Sequence, residues 1–360
     1  MDNSSKFDFN NWRHQIAHGV SDINALMALM PQDDSISPWL DRNFTTSQLP
    51  FSVTPYFVSL MSGKPDCPIF AQVISTKEEL AMGEDDRRDP LGEEEREKVP
   101  HLVHRYPDRV LFLATDRCAS YCRFCTRKRL VGQGPTPNLE QQIQAFDYIQ
   151  NDQQIKEIIF SGGDPLLLSN RRIQDLLRRS FAIDHIDMVR FHSRMLSFAP
   201  MRIDDELCSI FGSFSPIFLV CHFNHPREIT DFTRRAVTKL IESGVVVLNQ
   251  SVLLKGVNDD EEVLKDLFRS LVKMRIRPYY LHQCDVVTGA RHFRVPLKRS
   301  LEILQNLRGH ISGLCMPTFV IDVPGGHGKV PLVNDPVVKE DDEYVYLKGF
   351  LGGVSAYPKE

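Results

Sequence analysis

From Val110 onward, apolar and polar positions fall into a repeating pattern. Short runs rich in β-branched and aromatic residues alternate with longer stretches whose apolar residues recur at helical spacing. The short runs are 110–115, 157–161, 188–192, 217–223, 245–252 and 278–283, and helices are predicted near 138–149, 170–180, 203–211, 229–243, 259–274 and 296–308. After a longer first gap the runs recur about every 30 residues, the length of one βα unit. Six parallel strands in succession predict an α/β fold built as an incomplete barrel. Residues 1–99 read as a mainly helical N-terminal extension, with helices near 12–18 and 22–30 and Pro31 and Pro38 as breakers. The barrel is expected over 100–323, and 324–360 as a glycine-rich turn followed by β structure. In that last region Tyr344 and Tyr346 alternate with Val345 and Leu347, and Phe350 and Leu351 precede Gly352-Gly353, a pattern that suggests a hairpin.

Polar and glycine residues collect where the strands end. They are the loop after Thr115, Ser161-Gly162-Gly163-Asp164, His192-Ser193-Arg194, His222-Phe223-Asn224-His225, Asn249-Gln250-Ser251 and His282-Gln283-Cys284-Asp285. A further apolar run, 318–322, ends in Asp322. One polar strand end means little, but six in succession mark the face on which α/β barrels build their sites.

Composition changes this picture only by exclusion. A net charge of −4 over 360 residues gives no electrostatic reason to expect nucleic acid. No apolar run reaches membrane-spanning length, and the start, Met1 to Lys6, lacks the apolar core of a signal peptide. Eight cysteines in a chain this long are too sparse for a disulfide scaffold, so a reducing cytoplasm is the expected compartment. The acidic set between Glu78 and Glu97 reads as a solvated surface segment.

Cys118, Cys122 and Cys125 stand at a C-x3-C-x2-C spacing after the first strand, followed by Arg127-Lys128-Arg129. Closed structural zinc sites use four protein ligands, whereas three thiolates on a [4Fe–4S] cube leave one iron open for chemistry. The spacing resembles that of the radical S-adenosylmethionine enzymes, whose cofactor chelates the open iron. The fold the resemblance implies is a partial (βα)6 radical SAM barrel. Gly162-Gly163-Asp164 is by itself compatible with a plain turn or with close backbone approach to a ligand. It stands where that superfamily carries a GGE-type motif holding the cofactor's amino group. Asp164 departs from the usual Glu, which points to an indirect role.

Lys329 closes Pro324-Gly-Gly-His-Gly-Lys. A phosphate-binding P-loop is excluded, because Val323 and Val330 stand where its pattern needs Gly and Ser or Thr. A surface lysine in a flexible turn and a Schiff-base lysine in a partly desolvated pocket both remain open. Together with 104–109, 161–164, 222–226, 249–254 and 277–280, the 324–329 segment closely resembles lysine 2,3-aminomutase; residues 12–100 resemble it more loosely. The resemblance implies a cluster on Cys118, Cys122 and Cys125 and S-adenosylmethionine beside Gly162, Gly163, Asp164, His222 and Gln250. It also implies pyridoxal 5′-phosphate on Lys329, contacted by Arg105, Tyr106 and Arg109. Arg127 matches the arginine that holds the substrate carboxylate, and Asp285 and Asp322 match two aspartates that receive the side-chain ammonium of lysine. Each aspartate alone is equally a strand-end cap.

The activity implied is conversion of L-lysine to β-lysine, with an electron from a flavodoxin- or ferredoxin-type donor. The same residues admit arginine as substrate, or lysine rearrangement serving elongation factor P, since a guanidinium also suits two carboxylates. A cluster protein that has lost mutase activity and acts as a regulator is the reading from another class; intact Lys329, Arg127 and both aspartates argue against it. Longer family members continue into a cysteine-rich C-terminal metal site linked to subunit assembly. No cysteine follows Cys315 in these 360 residues, so that site is not expected here and a homo-oligomer is left open.

Overall fold

The alternation folds into one ten-stranded sheet whose strands follow chain order. They are β1 (Glu97–Val99), β2 (Leu102–Tyr106), β3 (Arg109–Thr115), β4 (Glu157–Gly162), β5 (Met188–Ser193), β6 (Ile217–Cys221), β7 (Val246–Leu253), β8 (Arg277–Gln283), β9 (Thr318–Val323) and β10 (Gly328–Pro331). The computed structural model describes residues 8–360 apart from 32, 34, 46–48, 135, 334 and 351. Residues 1–7 of the expected extension and Leu351 of the expected terminal β structure lie outside the described residues.

Strands β3 to β9 pair in parallel, each with the next. The six predicted βα units are therefore present, β9 adds a seventh parallel strand, and β1, β2 and β10 pair antiparallel at the two ends. Among the described residues no pairing joins β10 to β1, so the barrel is open. The sheet also runs across both expected domain boundaries, 99/100 and 323/324.

Local chemistry explains the helix starts. Asn138, Ser169, Asp204, Thr230 and Asp260 each accept a hydrogen bond from a first-turn N–H of the helix that follows. Alternation within the strands then sorts side chains by face. Phe112, Phe160 and Phe191 are fully buried and stack in series with Phe211, at ring separations of 5.7, 5.2 and 5.4 Å. Their neighbours Leu111, Ile159, Arg190 and His192 line the barrel interior instead.

The N-terminal region forms helices Trp12–Ala17, Ile23–Leu29 and Ile36–Asn43. Pro31 does follow a helix end. Pro38 breaks nothing, because it sits in the first turn of the third helix, where a missing N–H leaves no bond unmade. The region is part of the barrel core, with Phe57 against Phe198 at 4.8 Å and Thr54 Oγ1 donating to the Phe198 carbonyl at 2.6 Å. At the other end the expected hairpin is a three-stranded antiparallel sheet of β11 (Val337–Glu340), β12 (Tyr344–Lys348) and β13 (Val354–Pro358).

The acidic segment is not simply solvated. Glu79 and Glu93 are buried, Asp86 pairs with Arg294 and Asp89 pairs with Arg129. Glu79 holds Arg123, between two of the cysteines, through Nε at 2.8 Å and Nη2 at 2.7 Å. Removing one partner of such a pair strands a buried charge, so Glu79→Ala should lower unfolding stability by about 3–5 kcal/mol. Chemical denaturation monitored by circular dichroism measures this; an unchanged midpoint would show that the pair contributes nothing.

Candidate active site

The carboxyl ends of β3 to β9 surround a cavity of about 450 Å3. It is lined by Cys118, Cys122 and Cys125, by Lys329 and Asp322, by Arg105, Tyr106 and Arg109, and by Arg127, Gly162, Gly163, Asp164, His222 and Gln250. Asp285 is not on this wall. A larger groove of about 570 Å3 lies between helices Leu139–Asn151 and Asn170–Phe181 and includes none of these residues.

The three cysteines follow β3 in a loop without regular structure, and all are unpaired thiols. Burial, Asp164 and the other two cysteines push the Cys118 thiol well up. Burial and Cys122 raise Cys125 to about 11. Such crowding of buried thiols is costly once they ionise, unless a metal neutralises them. Among the described residues no three His, Cys, Asp or Glu side chains converge as the ligands of one ion do. A cluster that takes one thiolate per iron fits this donor set.

The two glycines at the end of β4 serve the cysteine loop. Gly162 holds φ at +118°, and a Cβ on either glycine would run into a carbonyl of Thr115 or Arg117. The Gly163 and Asp164 N–H groups donate to Thr115 O at 2.5 Å and Arg117 O at 2.7 Å, so these amides are committed within the protein. The Asp164 carboxylate accepts from Ser193 Oγ (2.8 Å), Arg194 N (2.8 Å) and Leu166 N (3.0 Å). Burial raises its pKa against those bonds. Asp164 thus ties β4 to β5 and frames the cysteine loop.

Lys329 lies on a strand. The turn 324–327 folds β10 back on β9 so that Lys329 is the direct partner of Asp322, and Nζ meets Oδ2 at 2.8 Å. Gly328 has φ +96°, and its missing side chain leaves room for Tyr106, whose hydroxyl accepts the Lys329 N–H at 3.0 Å. Arg105 and Arg109 stack on the Tyr106 ring at 4.9 and 3.8 Å. Among the described residues three buried side-chain nitrogens on this wall have no partner within the protein, Arg190 Nε, His192 Nε2 and Arg194 Nε. An amine, paired guanidinium groups beside an aromatic ring and unsatisfied donors fit pyridoxal phosphate, which brings a carbonyl, a phosphate and a flat ring.

Charge is unevenly spread at this end. Burial opposes ionisation of Asp322, but Lys329, His282 and Arg105 outweigh it and hold the carboxyl below its usual range. Arg105 Nη2 lies 3.2 Å from Asp322. Burial, Lys329 and a weaker opposing pull from Asp322 leave His282 neutral, at about 4. Asp285 is near enough to feel Asp322 and Lys329, and burial together with the Asp322 carboxylate raises it to about 7. The Asp322 carboxylate therefore disfavours ionisation of Asp285, although Asp285 does not line the cavity.

Arg127 is held by Glu93, with Nε at 3.0 Å from both oxygens and Nη2 at 2.7 Å from Oε1, while Nη1 donates to Ser161 Oγ at 3.1 Å. One N–H each from Nε, Nη1 and Nη2 is used, which leaves two of a guanidinium's five for a ligand. His222 Nε2 meets Asn224 Oδ1 at 3.0 Å, and burial keeps the ring neutral. Glu93, Arg190, His192 and His282 were not singled out by sequence reasoning. The last two stand in polar strand ends, and Glu93 was hidden in the acidic run.

Comparison with known proteins identifies the family. A family profile described as Lysine-2,3-aminomutase matches residues 304–360, and one for the Radical SAM superfamily matches residues 112–268. The L-lysine 2,3-aminomutase of Acetoanaerobium sticklandii is 41% identical over 355 residues, covering 98% of this chain and 85% of that protein. That of Bacillus subtilis is 39% identical, covering 98% and 74%. The glutamate 2,3-aminomutase of Clostridioides difficile is 35% identical, covering 98% and 83%.

Proposed function

The chain belongs to the lysine 2,3-aminomutase family of the radical S-adenosylmethionine superfamily, and on that premise we propose that it moves the α-amino group of L-lysine to C3, giving β-lysine. When bound, the cluster and S-adenosylmethionine supply hydrogen-abstracting radical chemistry, and pyridoxal phosphate supplies a ring that delocalises the unpaired electron. Cys118, Cys122 and Cys125 hold the cluster. His222 and Gln250 face S-adenosylmethionine, with Gly162, Gly163 and Asp164 fixing the loop that presents it. Lys329 holds pyridoxal phosphate through its amine, and Arg105, Tyr106 and Arg109 hold its phosphate and ring. Arg127, kept in plane by Glu93, takes the substrate carboxylate.

The electrostatic coupling of Asp285 to Asp322 favours lysine over glutamate. A side-chain ammonium relieves the repulsion between the two carboxyls, whereas a third carboxylate adds to it. Eight unpaired cysteines suit a reducing compartment such as the cytoplasm, where a flavodoxin- or ferredoxin-type donor provides the electron. No helix is long and apolar enough to cross a membrane among the described residues.

A pH profile tests the ammonium site. Lysine binds with Asp285 ionised, so below about 7 each unit of added pH should lower KM for lysine by up to about tenfold, levelling above it. His282 is already neutral throughout that window. In Asp285→Asn the pH dependence should vanish and KM rise on the order of 10²-fold, near 3 kcal/mol. Stability carries the opposite sign: the folded state keeps the Asp285 proton up to about 7 and the unfolded chain loses it near 3.8, so folding weakens as pH rises between them. Asp285→Asn should then be the more stable protein above pH 7. A variant with the wild-type KM profile would remove Asp285 from the site.

A further inference from the structure

Arg194, which follows β5, has no place in the reading above, yet its side chain touches a cluster ligand. It is 6% exposed, and Nη1 donates to Cys122 Sγ at 2.9 Å. Nη2 donates to Glu228 Oε2 at 3.2 Å and to Gln72 Oε1. Its backbone N–H is fixed by Asp164, and the rings of Phe198, Phe124 and Phe57 stand 4.5, 5.5 and 5.9 Å from the guanidinium carbon. Glu228 is fully buried and also accepts from Ser197 Oγ at 2.5 Å and from the Asn224 and His225 N–H groups at 3.0 and 2.9 Å. The guanidinium is thus anchored through Nη2 and by the rings, and its Nη1 is directed at one sulfur.

We propose that Arg194 is a positioning residue that tunes the reduction potential of the cluster through its hydrogen bond to Cys122, with Glu228 as the opposing control. The inference rests on the cluster being held by Cys118, Cys122 and Cys125. A cationic donor draws charge from a ligating sulfur and favours the reduced cluster, which carries one more electron. The aromatic surround excludes water and strengthens the effect. Glu228 neutralises much of the guanidinium charge, so the two residues push the potential in opposite directions. A purely structural arginine, by contrast, would hold β5 in place without altering the electron affinity of the iron.

The test is an anaerobic redox titration of the reconstituted full chain, followed by electron paramagnetic resonance, with iron content measured alongside. Wild type, Arg194→Gln, Arg194→Lys and Glu228→Gln are compared. At a fixed poise, Arg194→Gln should lower the ratio of reduced to oxidised cluster about tenfold, which is about 59 mV for a one-electron couple. Arg194→Lys should recover most of that loss, and Glu228→Gln should raise the ratio. Variants that keep full iron content and titrate with wild type would overturn the proposal. If both Arg194 variants lose the cluster, Glu228→Gln decides: a raised ratio supports the proposal and an unchanged one refutes it. Wild-type protein that binds no iron would instead refute the cluster assignment, and the inference with it.

Discussion

Lys329→Ala should yield a folded protein that keeps no pyridoxal phosphate through gel filtration and has lost mutase activity by about 10³-fold or more, at least 4 kcal/mol of barrier. The expectation starts from β-sheet register. β10 pairs with β9 so that Lys329 faces Asp322, and this cross-strand position sets the amine 2.8 Å from the carboxylate and inside the cavity. Alanine removes both a covalent handle and an ammonium, so a second variant separates them. Lys329→Arg keeps a cation opposite Asp322 but cannot condense with an aldehyde. It should therefore match wild type in stability while remaining as inactive as the alanine variant. Full activity in Lys329→Ala would remove the pyridoxal assignment.

Cys125→Ala should cost the iron. Its thiol is raised to about 11 by burial and by Cys122, so at neutral pH it is protonated and the apo protein loses no charge with it. The apo variant should accordingly melt at or near the wild-type temperature. Loading is the step that suffers: two thiolates remain where three irons need one each, and reconstitution should leave little cluster absorbance. Cleavage of S-adenosylmethionine should fall below detection together with the mutase reaction. A variant that retained full iron and cleaved the cofactor would show that Cys125 is not a ligand.

Local regularity makes much of this legible in the sequence. The βα units announced themselves because each strand of β3 to β8 is a short apolar run, and nearly every following helix begins with an Asn, Ser, Asp or Thr cap. The cysteine spacing and the polar strand ends could be read in the same way. Residues that act through distant partners were not legible. Glu79 and Glu93 sit in an acidic run that looks solvated, and only the fold brings them to Arg123 and Arg127, 44 and 34 positions along the chain. The paired glycines were expected to face a ligand, yet their tight packing is against the cysteine loop. Lys329 was expected in a turn because Gly325, Gly326 and Gly328 precede it; pairing with β9 makes it part of a strand. Arg194 carried no signal beyond its place at a strand end, since nothing local points to Cys122.

If Asp285 and Asp322 receive a side-chain ammonium, lysine and not glutamate is the substrate. Anaerobic incubation of the reconstituted protein with S-adenosylmethionine, pyridoxal phosphate, a reductant and, in turn, lysine, arginine and glutamate tests it directly. The expected result is β-lysine from lysine and no product from glutamate. Formation of β-glutamate without β-lysine would contradict it.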